Sequence, residues 1–295
     1  MDHNKRIFAL GFFDGVNRGH QALLRECVRL ASELDCETAA ITFESHPQSL
    51  FCTDPPPLIS TLSDRFRLLL RYGIDHVYPF PVTKEVMGKH WRDFLEELME
   101  YGAVGFGCGD DFRFGSRGEG NAEKLRQVCR ERELPCVIVP EQTLEGVRIS
   151  SSYIRRQILE GDMGTAVRYL GHGHMLTGTV VTGRKLGHKL GFPTANIELP
   201  ANVICPRHGV YACYAYVGKD RYMAVCNVGS RPTVEGHQVR TETWLLDFSG
   251  DLYGQSVSLE FLYFLRPEQR FQSVDALKEA VLNDAENTRR FFEKT

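Results

Sequence analysis

The sequence has no apolar run approaching the roughly 18 residues that a membrane-spanning helix needs, so no membrane association is expected. It has no block of like charge either, and its formal net charge is only −3. The basic footprint that neutralises a phosphate backbone is therefore missing, and nucleic acid is not an expected partner. None of the nine cysteines, at 27, 36, 52, 108, 129, 136, 205, 213 and 226, stands in a C-x-x-C spacing, which removes the commonest zinc clamp. They read as small buried hydrophobes in a reducing, cytoplasmic compartment. His172 and His174, in GHGHM, have no cysteine or acidic ligand nearby and read as part of a solvated linker. The P-loop pattern G-x-x-x-x-G-K-[ST] is absent: its nearest approach, GTVVTGRK from Gly178 to Lys185, has Arg184 where the lysine belongs. Gly107-Cys108-Gly109 and Gly171-His172-Gly173 lack the third glycine of the dinucleotide fingerprint and read as turns.

What is present is ordinary globular composition, 42% hydrophobic and 25% charged, in 295 residues, a length that suits two cores better than one. The apolar run Ile7 to Phe13, closed by Asp14 without a small-residue cleavage site, reads as a first strand rather than a signal peptide. A stripe at 3.6-residue spacing (Leu23, Leu24, Cys27, Val28, Ala31, Leu34) and the β-branched run from Thr38 to Phe43 complete a βαβ unit. Helical patterns at 63–72 and 91–101 alternate with HVYPF, AVGFG at 103–107 and CVIVP at 136–140, which implies a parallel sheet with helices on its faces. Ligands of such sheets bind at the carboxyl ends of the strands. A helix-like stretch from Ser152 to Leu170 closes this half, and then the period changes to short strands at 175–182, 209–217, 221–227, 239–247 and 256–264. Regular strands with turn signals argue for an antiparallel barrel, and an amphipathic helix from Ser273 to Phe292 ends the chain. The expected domains are 1–170 and 175–295, with no internal repeat.

In the first half, the opening strand runs into GFFDGVNRGHQ. Gly11, Asp14, Gly15, Asn17, Gly19 and His20 lie where a strand, a glycine-bearing turn and a helix N-terminus can hold an anion. The plainer reading is a βα turn with Gly15 and Gly19 as punctuation and His20 on the surface. RISSSYIRR at 148–156 places hydroxyls between arginines: Ser150 or Ser151 would cap a helix, and Arg148 and Arg155 could reach a triphosphate, or could simply be solvated. Together these groups suit attack of a phosphate monoester on an α-phosphate. That nucleophile is largely ionised at neutral pH, its second pKa being about 6, so the site needs cations and positioning rather than a general base.

In the second half, VVTGRKLGHKLGFPTANI is the densest run. Gly183, Gly187 and Gly191 punctuate a basic loop with Arg184, Lys185 and Lys189, and Phe192-Pro193-Thr194-Ala195-Asn196 follows. Thr194 and Asn196, two apart on an extended segment, face one side, where a hydroxyl and an amide oxygen can hold Mg²⁺ together with a phosphate oxygen. A glycine-rich hairpin with a buried asparagine is the alternative. An alcohol attacking a γ-phosphate must lose its proton, so a carboxylate is expected, and Glu242 in RTETWLLDF is the choice over a merely solvated strand residue.

These segments, with DDFRFG at 110–115, NVGSRPT at 227–233 and TETWLLDFSGDLYG at 241–254, resemble the bacterial bifunctional riboflavin kinase and FAD synthetase family over essentially the whole chain. The resemblance implies an N-terminal α/β nucleotidyltransferase domain of Rossmann-like form and a C-terminal six-stranded β-barrel kinase domain. It implies conversion of riboflavin to FMN and then FAD, with ATP and Mg²⁺. By the same resemblance Glu242 matches the kinase base, and Thr194 and Asn196 match positions that serve Mg²⁺ and ATP. His20, Asp111, Arg148 and Ser151 match positions that contribute to adenylyl transfer or its ligands, and His46, Asp111 and Phe114 match the flavin side. The chain departs from the family pattern at Asn17, where histidine is usual, at Ser45, where proline is usual, and at Asn121, where aspartate is usual. Asn17 keeps open a kinase-only enzyme, and a non-catalytic flavin- or nucleotide-binding regulator is the third expectation.

Overall fold

Five strands whose side chains are apolar on both faces can be satisfied only inside a doubly covered parallel sheet. In the computed structural model, which describes residues 5–182, 191–200, 202–233 and 236–294, this is β1 (Arg6–Leu10), β2 (Glu37–Phe43), β3 (His76–Phe80), β4 (Ala103–Gly109) and β5 (Cys136–Val139), all parallel in the order β3-β2-β1-β4-β5. Ile7 to Leu10 and Thr38 to Ile41 are fully buried. The first strand ends at Leu10, not Phe13, because Phe13 turns into the left-handed region.

Helix α1 (Arg18–Glu33) covers one face through Leu23, Leu24, Cys27 and Ala31, while Leu34 falls at its C-cap and is exposed. It approaches β4 so closely that a Cβ on Gly107 would lie 2.4 Å from the Cys27 sulfur, so only glycine fits there. Helices α2 (Leu62–Arg71) and α3 (Lys84–Met87) flank β3 in sequence. Helices α4 (Trp91–Glu100) and α5 (Ala122–Glu131) pack Phe94, Leu95, Leu98, Leu125 and Val128 onto Phe8, Leu10 and Phe106. Truncating one of these aromatic side chains to alanine costs about 3–5 kcal/mol. A short hairpin, β6 (Thr143–Leu144) with β7 (Val147–Arg148), follows β5.

The second unit opens with α6 (Ser151–Glu160) and α7 (Met163–Leu170). The single stretch expected at 152–170 is broken by Gly161, φ +84°, and by Asp162, whose carboxylate caps α7 by accepting the Thr165 N–H at 3.1 Å. Six strands then close an antiparallel barrel: β8 (His174–Val181), β9 (Ala195–Glu198), β10 (Gly209–Val217), β11 (Asp220–Thr233), β12 (Gly236–Leu245) and β13 (Ser256–Arg266), in the order β10-β11-β12-β9-β8-β13. Helix α8 (Val274–Glu293) starts at Ser273, whose hydroxyl accepts the Ala276 N–H at 3.1 Å as expected. It packs Ala285 against Val210, Val225 and Leu246. Arg266 pins it, its Nε 2.9 Å and its Nη2 2.7 Å from the buried Asp284 carboxylate.

One expectation is corrected here. His172 and His174 are not on a solvated linker: both are buried, with His172 Nδ1 2.7 Å from the Gly173 carbonyl and His174 Nε2 2.9 Å from the Ile59 carbonyl. The chain runs without a spacer from α7, which rests on β8 and β13, into the barrel. By packing, the chain divides into Met1–Leu58 with Leu62–Ser151, and Ile59–Thr61 with Ser152–Thr295, and α6 and α7 pack with the barrel. All nine cysteines are free, five of them buried.

Candidate active sites

In the α/β unit a cavity of about 370 Å³ opens at the carboxyl ends of β1, β4 and β5, lined by Leu10 to Phe13, Gly109 to Arg113 and Val139 to Gln142. This is where strand order reverses, since the chain leaves β1 for β2 on one side and reaches β4 on the other. The turn between β1 and α1 is tightly bent: Phe13, Gly15 and Val16 have φ of 55°, 77° and 39°. A β-branched residue in that region is strained by about 1–3 kcal/mol and persists only if its surroundings fix it. They do. Thr42 Oγ1 donates to the Phe12 carbonyl at 2.7 Å, Ser151 Oγ to the Asp14 carbonyl at 3.1 Å, and Gln21 Nε2 to the Val16 carbonyl at 2.8 Å.

Asn17 and His20 form a reciprocal cap at the start of α1. Asn17 Oδ1 accepts the His20 N–H at 3.1 Å, and His20 Nδ1 accepts the Asn17 N–H at 3.2 Å. Because Nδ1 is an acceptor, the neutral ring carries its proton on Nε2. Burial pushes the His20 pKa down to about 4, with Asp14 and Asp111 opposing and Arg65 assisting, so the ring is neutral at pH 7. Arg148 lies on the same cavity, its Nη2 2.5 Å from Asp111 and its Nε 2.9 Å from Glu141.

Of the residues expected here, Gly11, Asn17, Gly19, His20, Asp111, Arg148 and Ser151 line the cavity. Asp14 and Gly15 lie within the turn behind that surface, the Asp14 side chain buried. His46 caps the short helical turn Pro47–Leu50 and stands edge-on to Phe12, with ring centroids 5.3 Å apart. Phe114 does not reach the cavity: it is buried beside Phe94 in the core, and Phe112, stacked on it at 5.9 Å, takes the lining position instead. Arg155 belongs to the barrel unit and is not part of this cavity. The family departure at Asn121 is a helix cap, its Oδ1 accepting the Lys124 N–H at 2.9 Å. Gln21, Thr42, Phe112 and Glu141 were not singled out by sequence. Gln21 alone had a signal, as a polar residue one turn into a helix whose stripe it shares.

In the barrel, register builds the second site. Glu242 on β12 is opposite Asn196 on β9 and opposite Asn227 on β11, so the three side chains share a face. Glu242 and Thr194 line one cavity of about 270 Å³, walled by Phe192, Val225 and Trp244 from the barrel side, by Glu268 and Phe271, and by Leu277 and Val281 of α8. A second cavity of about 480 Å³, bounded by Pro193, Thr194 and the segment Phe248 to Tyr253, shares Thr194 with the first. Asn196 is buried, and its Oδ1 has no hydrogen-bond partner among the described residues. Asn196 lines neither cavity, but a buried oxygen left uncompensated two residues from Thr194 fits a hard cation. Gly191 lies at φ +89° in open space and lines neither cavity. The expectations at Gly183 and Lys185 lie outside the described residues. Asn227, Trp244 and Glu268 were not assigned from sequence, although Trp244, two residues after Glu242 on a strand, had to share its face.

A parallel α/β unit with a crevice at its switch point, joined in one chain to a closed six-stranded barrel with its own acid-bearing cavity, defines a two-site enzyme class. The comparisons agree: residues 1–153 match the family model described as FAD synthetase, and residues 170–292 the one described as riboflavin kinase. The chain belongs to the bifunctional riboflavin kinase/FMN adenylyltransferase family. It is 32% identical over 301 residues to the protein of that name from Listeria monocytogenes (99% of this chain, 94% of the relative). It is 34% identical to that from Escherichia coli (97% and 92%). A solved structure titled as a macrolide-efflux protein from Streptococcus pneumoniae superposes with a TM-score of 0.85 at 30% identity, covering 97% of this chain and 94% of that one. Among the described residues, no helix is long and apolar enough to cross a membrane.

Proposed function

We propose that the barrel, within 175–295, phosphorylates riboflavin to FMN, and that the parallel sheet and its crevice, within 1–170, adenylylate FMN to FAD with release of pyrophosphate, ATP being the donor in both. The compartment proposed is the cytoplasm, where ATP is supplied. The observation that carries the kinase assignment is the shared cavity of Thr194 and Glu242, with Asn196 directly across from Glu242. The apolar side of that cavity, Phe192, Trp244, Phe271 and Val281, suits a flat tricyclic ring, and the cavity on the other side of Thr194 suits the nucleotide. Glu242 takes the proton of the terminal ribityl hydroxyl as that oxygen attacks the γ-phosphorus, and the bond from the γ-phosphorus to the β,γ-bridging oxygen breaks to release ADP. Thr194 and Asn196 would hold Mg²⁺, which supplies charge neutralisation at the phosphates when bound.

In the other site the phosphate of FMN attacks the α-phosphorus. The nucleophile needs no base. His20, neutral at working pH, donates from Nε2 to a phosphate oxygen, and Arg148 exchanges Asp111 and Glu141 for the charged triphosphate, which gives a denser set of acceptors. Phe112 offers an aromatic face at the cavity wall. The kinase-only reading draws support from Asn17, which presents a neutral amide where a histidine could carry charge. Glu242→Gln is the test of the kinase assignment. It should lower FMN formation by about 10²–10⁴-fold while leaving conversion of supplied FMN to FAD unchanged. Retention of FMN formation within tenfold of the parent removes Glu242 as the base.

A further inference from the structure

Arg65, in α2, is the largest of the fully buried side chains, at 0% exposure. Its Nη1 donates to Thr42 Oγ1 at 2.9 Å and to the Phe43 carbonyl at 2.6 Å, and its guanidinium carbon lies 4.6 Å from the centroid of the Phe12 ring. Thr42 has a single hydroxyl proton, which goes to the Phe12 carbonyl at 2.7 Å, so the lone pair that receives Arg65 is on the same oxygen. The result is a relay from Arg65 through Thr42 to Phe12, each bond polarising the next in a low-dielectric interior. A flat cation on the ring completes the hold.

The residue so held immediately precedes the strained turn. Phe12 lines the cavity, and Phe13, Gly15 and Val16 follow with positive φ before Asn17 and His20. Side-chain donors hold the Phe12, Asp14 and Val16 carbonyls of the turn, and the donor at Phe12 is itself backed by a buried charge. An uncharged side chain would fill the same space without desolvating a guanidinium, so packing does not account for an arginine here. What an apolar residue cannot supply is a nitrogen that donates twice to the end of β2, to Thr42 Oγ1 and the Phe43 carbonyl, on a flat cation seated over the Phe12 ring. Burial works against the charge of Arg65 and Asp14 supports it, while that charge in turn helps keep His20 neutral.

We propose that Arg65 is a positioning residue for adenylyl transfer: acting through Thr42 and the Phe12 ring, it fixes the turn that presents Asn17 and His20 to the triphosphate. The inference rests on the adenylyl-transfer reading of this cavity. It is tested on the full chain with supplied FMN and ATP, comparing the parent with Arg65→Met, Arg65→Lys, Thr42→Val and the Arg65→Met/Thr42→Val double variant. kcat and KM for FAD formation are measured per folded molecule, with FMN formation from riboflavin as the internal control. Arg65→Met should lower kcat for FAD roughly 10–100-fold, the scale of a misplacement near 1 Å, with a much smaller change in KM. FMN formation should not change. Thr42→Val should lower the same kcat, and the double variant should fall no lower than Arg65→Met, because both substitutions cut one relay. Arg65→Lys, which keeps the charge near Asp14 without the planar fork, should recover part of the loss.

Losses that multiply in the double variant, or a kcat within threefold of the parent in either single variant, overturn the role. If Arg65→Met does not fold, Thr42→Val decides alone. A parent that makes no FAD from FMN removes the adenylyl-transfer reading and this role together. A parent that makes FAD while the variants match it removes only the role of Arg65.

Discussion

Replacing Asn17 by histidine should raise FAD formation and leave FMN formation as it is. The side chain of Asn17 does two things: its Oδ1 caps α1 by accepting the His20 N–H at 3.1 Å, and the residue lines the cavity beside His20. Histidine can take over the cap. In this same chain His46 Nδ1 accepts the Gln48 N–H at 3.2 Å and His90 Nδ1 the Arg92 N–H at 3.4 Å, both at helix N-termini. The substitution should therefore change stability by no more than about 1 kcal/mol, or roughly 2–4 °C in melting temperature. Once a triphosphate is bound, protonation of the ring gives up the Nδ1 cap and makes the second ring nitrogen a charged donor. A charged in place of a neutral hydrogen bond in the transition state contributes about 1–2 kcal/mol, or roughly 5–30-fold in rate. The assay is the initial rate of FAD formation from FMN and ATP, resolved by chromatography, with FMN formation from riboflavin measured on the same preparation. An unchanged FAD rate in a variant of unchanged melting temperature refutes the reasoning, since it shows that position 17 is not read by the phosphates.

His20 sets a pH dependence of stability. Its folded pKa, near 4, lies below the ordinary value of 6.5, so the unfolded chain binds the proton more readily between those values. The contribution is complete above pH 6.5 and lost as pH falls toward 4, and the melting temperature of His20→Gln should decline less over that window than that of the parent. Asp284→Asn strands the Arg266 charge under α8. That should cost about 3 kcal/mol, seen as a drop of roughly 6–12 °C in the barrel transition together with lost FMN formation. Iodoacetamide at pH 7.5 should label the exposed Cys52 first, while Cys27 and Cys108, pushed up to about 12 chiefly by burial, should react only on unfolding. Mass mapping of early labelling at Cys27 or Cys108 contradicts the burial of both where α1 covers β4.

Periodicity made the central elements legible. The stripe of α1, the buried runs of β1 and β2, and the Ser273 cap of α8 all follow from local chemistry. Elements whose signal was thin were missed. α5 buries only Ala122, Leu125, Val128 and Cys129 in an otherwise charged segment, and β9 is four residues long behind Gly191-Phe192-Pro193. The break at Gly161-Asp162 had a local signal, a glycine followed by an N-cap, that was not read, whereas the burial of His172 and His174 depends on how α7 seats against β8 and β13. At the sites, composition pointed to donors and acids but not to their supports. Phe112 and Phe114 are alike in sequence, and packing against Phe94 decides which one faces the cavity. Arg65 and Thr42 are 23 residues apart in the chain and meet only because α2 closes over the end of β2.

The central claim is that one chain carries two separate phosphate-transfer sites acting in sequence. A product-resolved time course with riboflavin, ATP and Mg²⁺ tests it most directly. FMN should appear first and FAD after a lag, and supplied FMN should give FAD without one. No FMN from riboflavin, or FMN that accumulates without FAD even at high ATP, contradicts it.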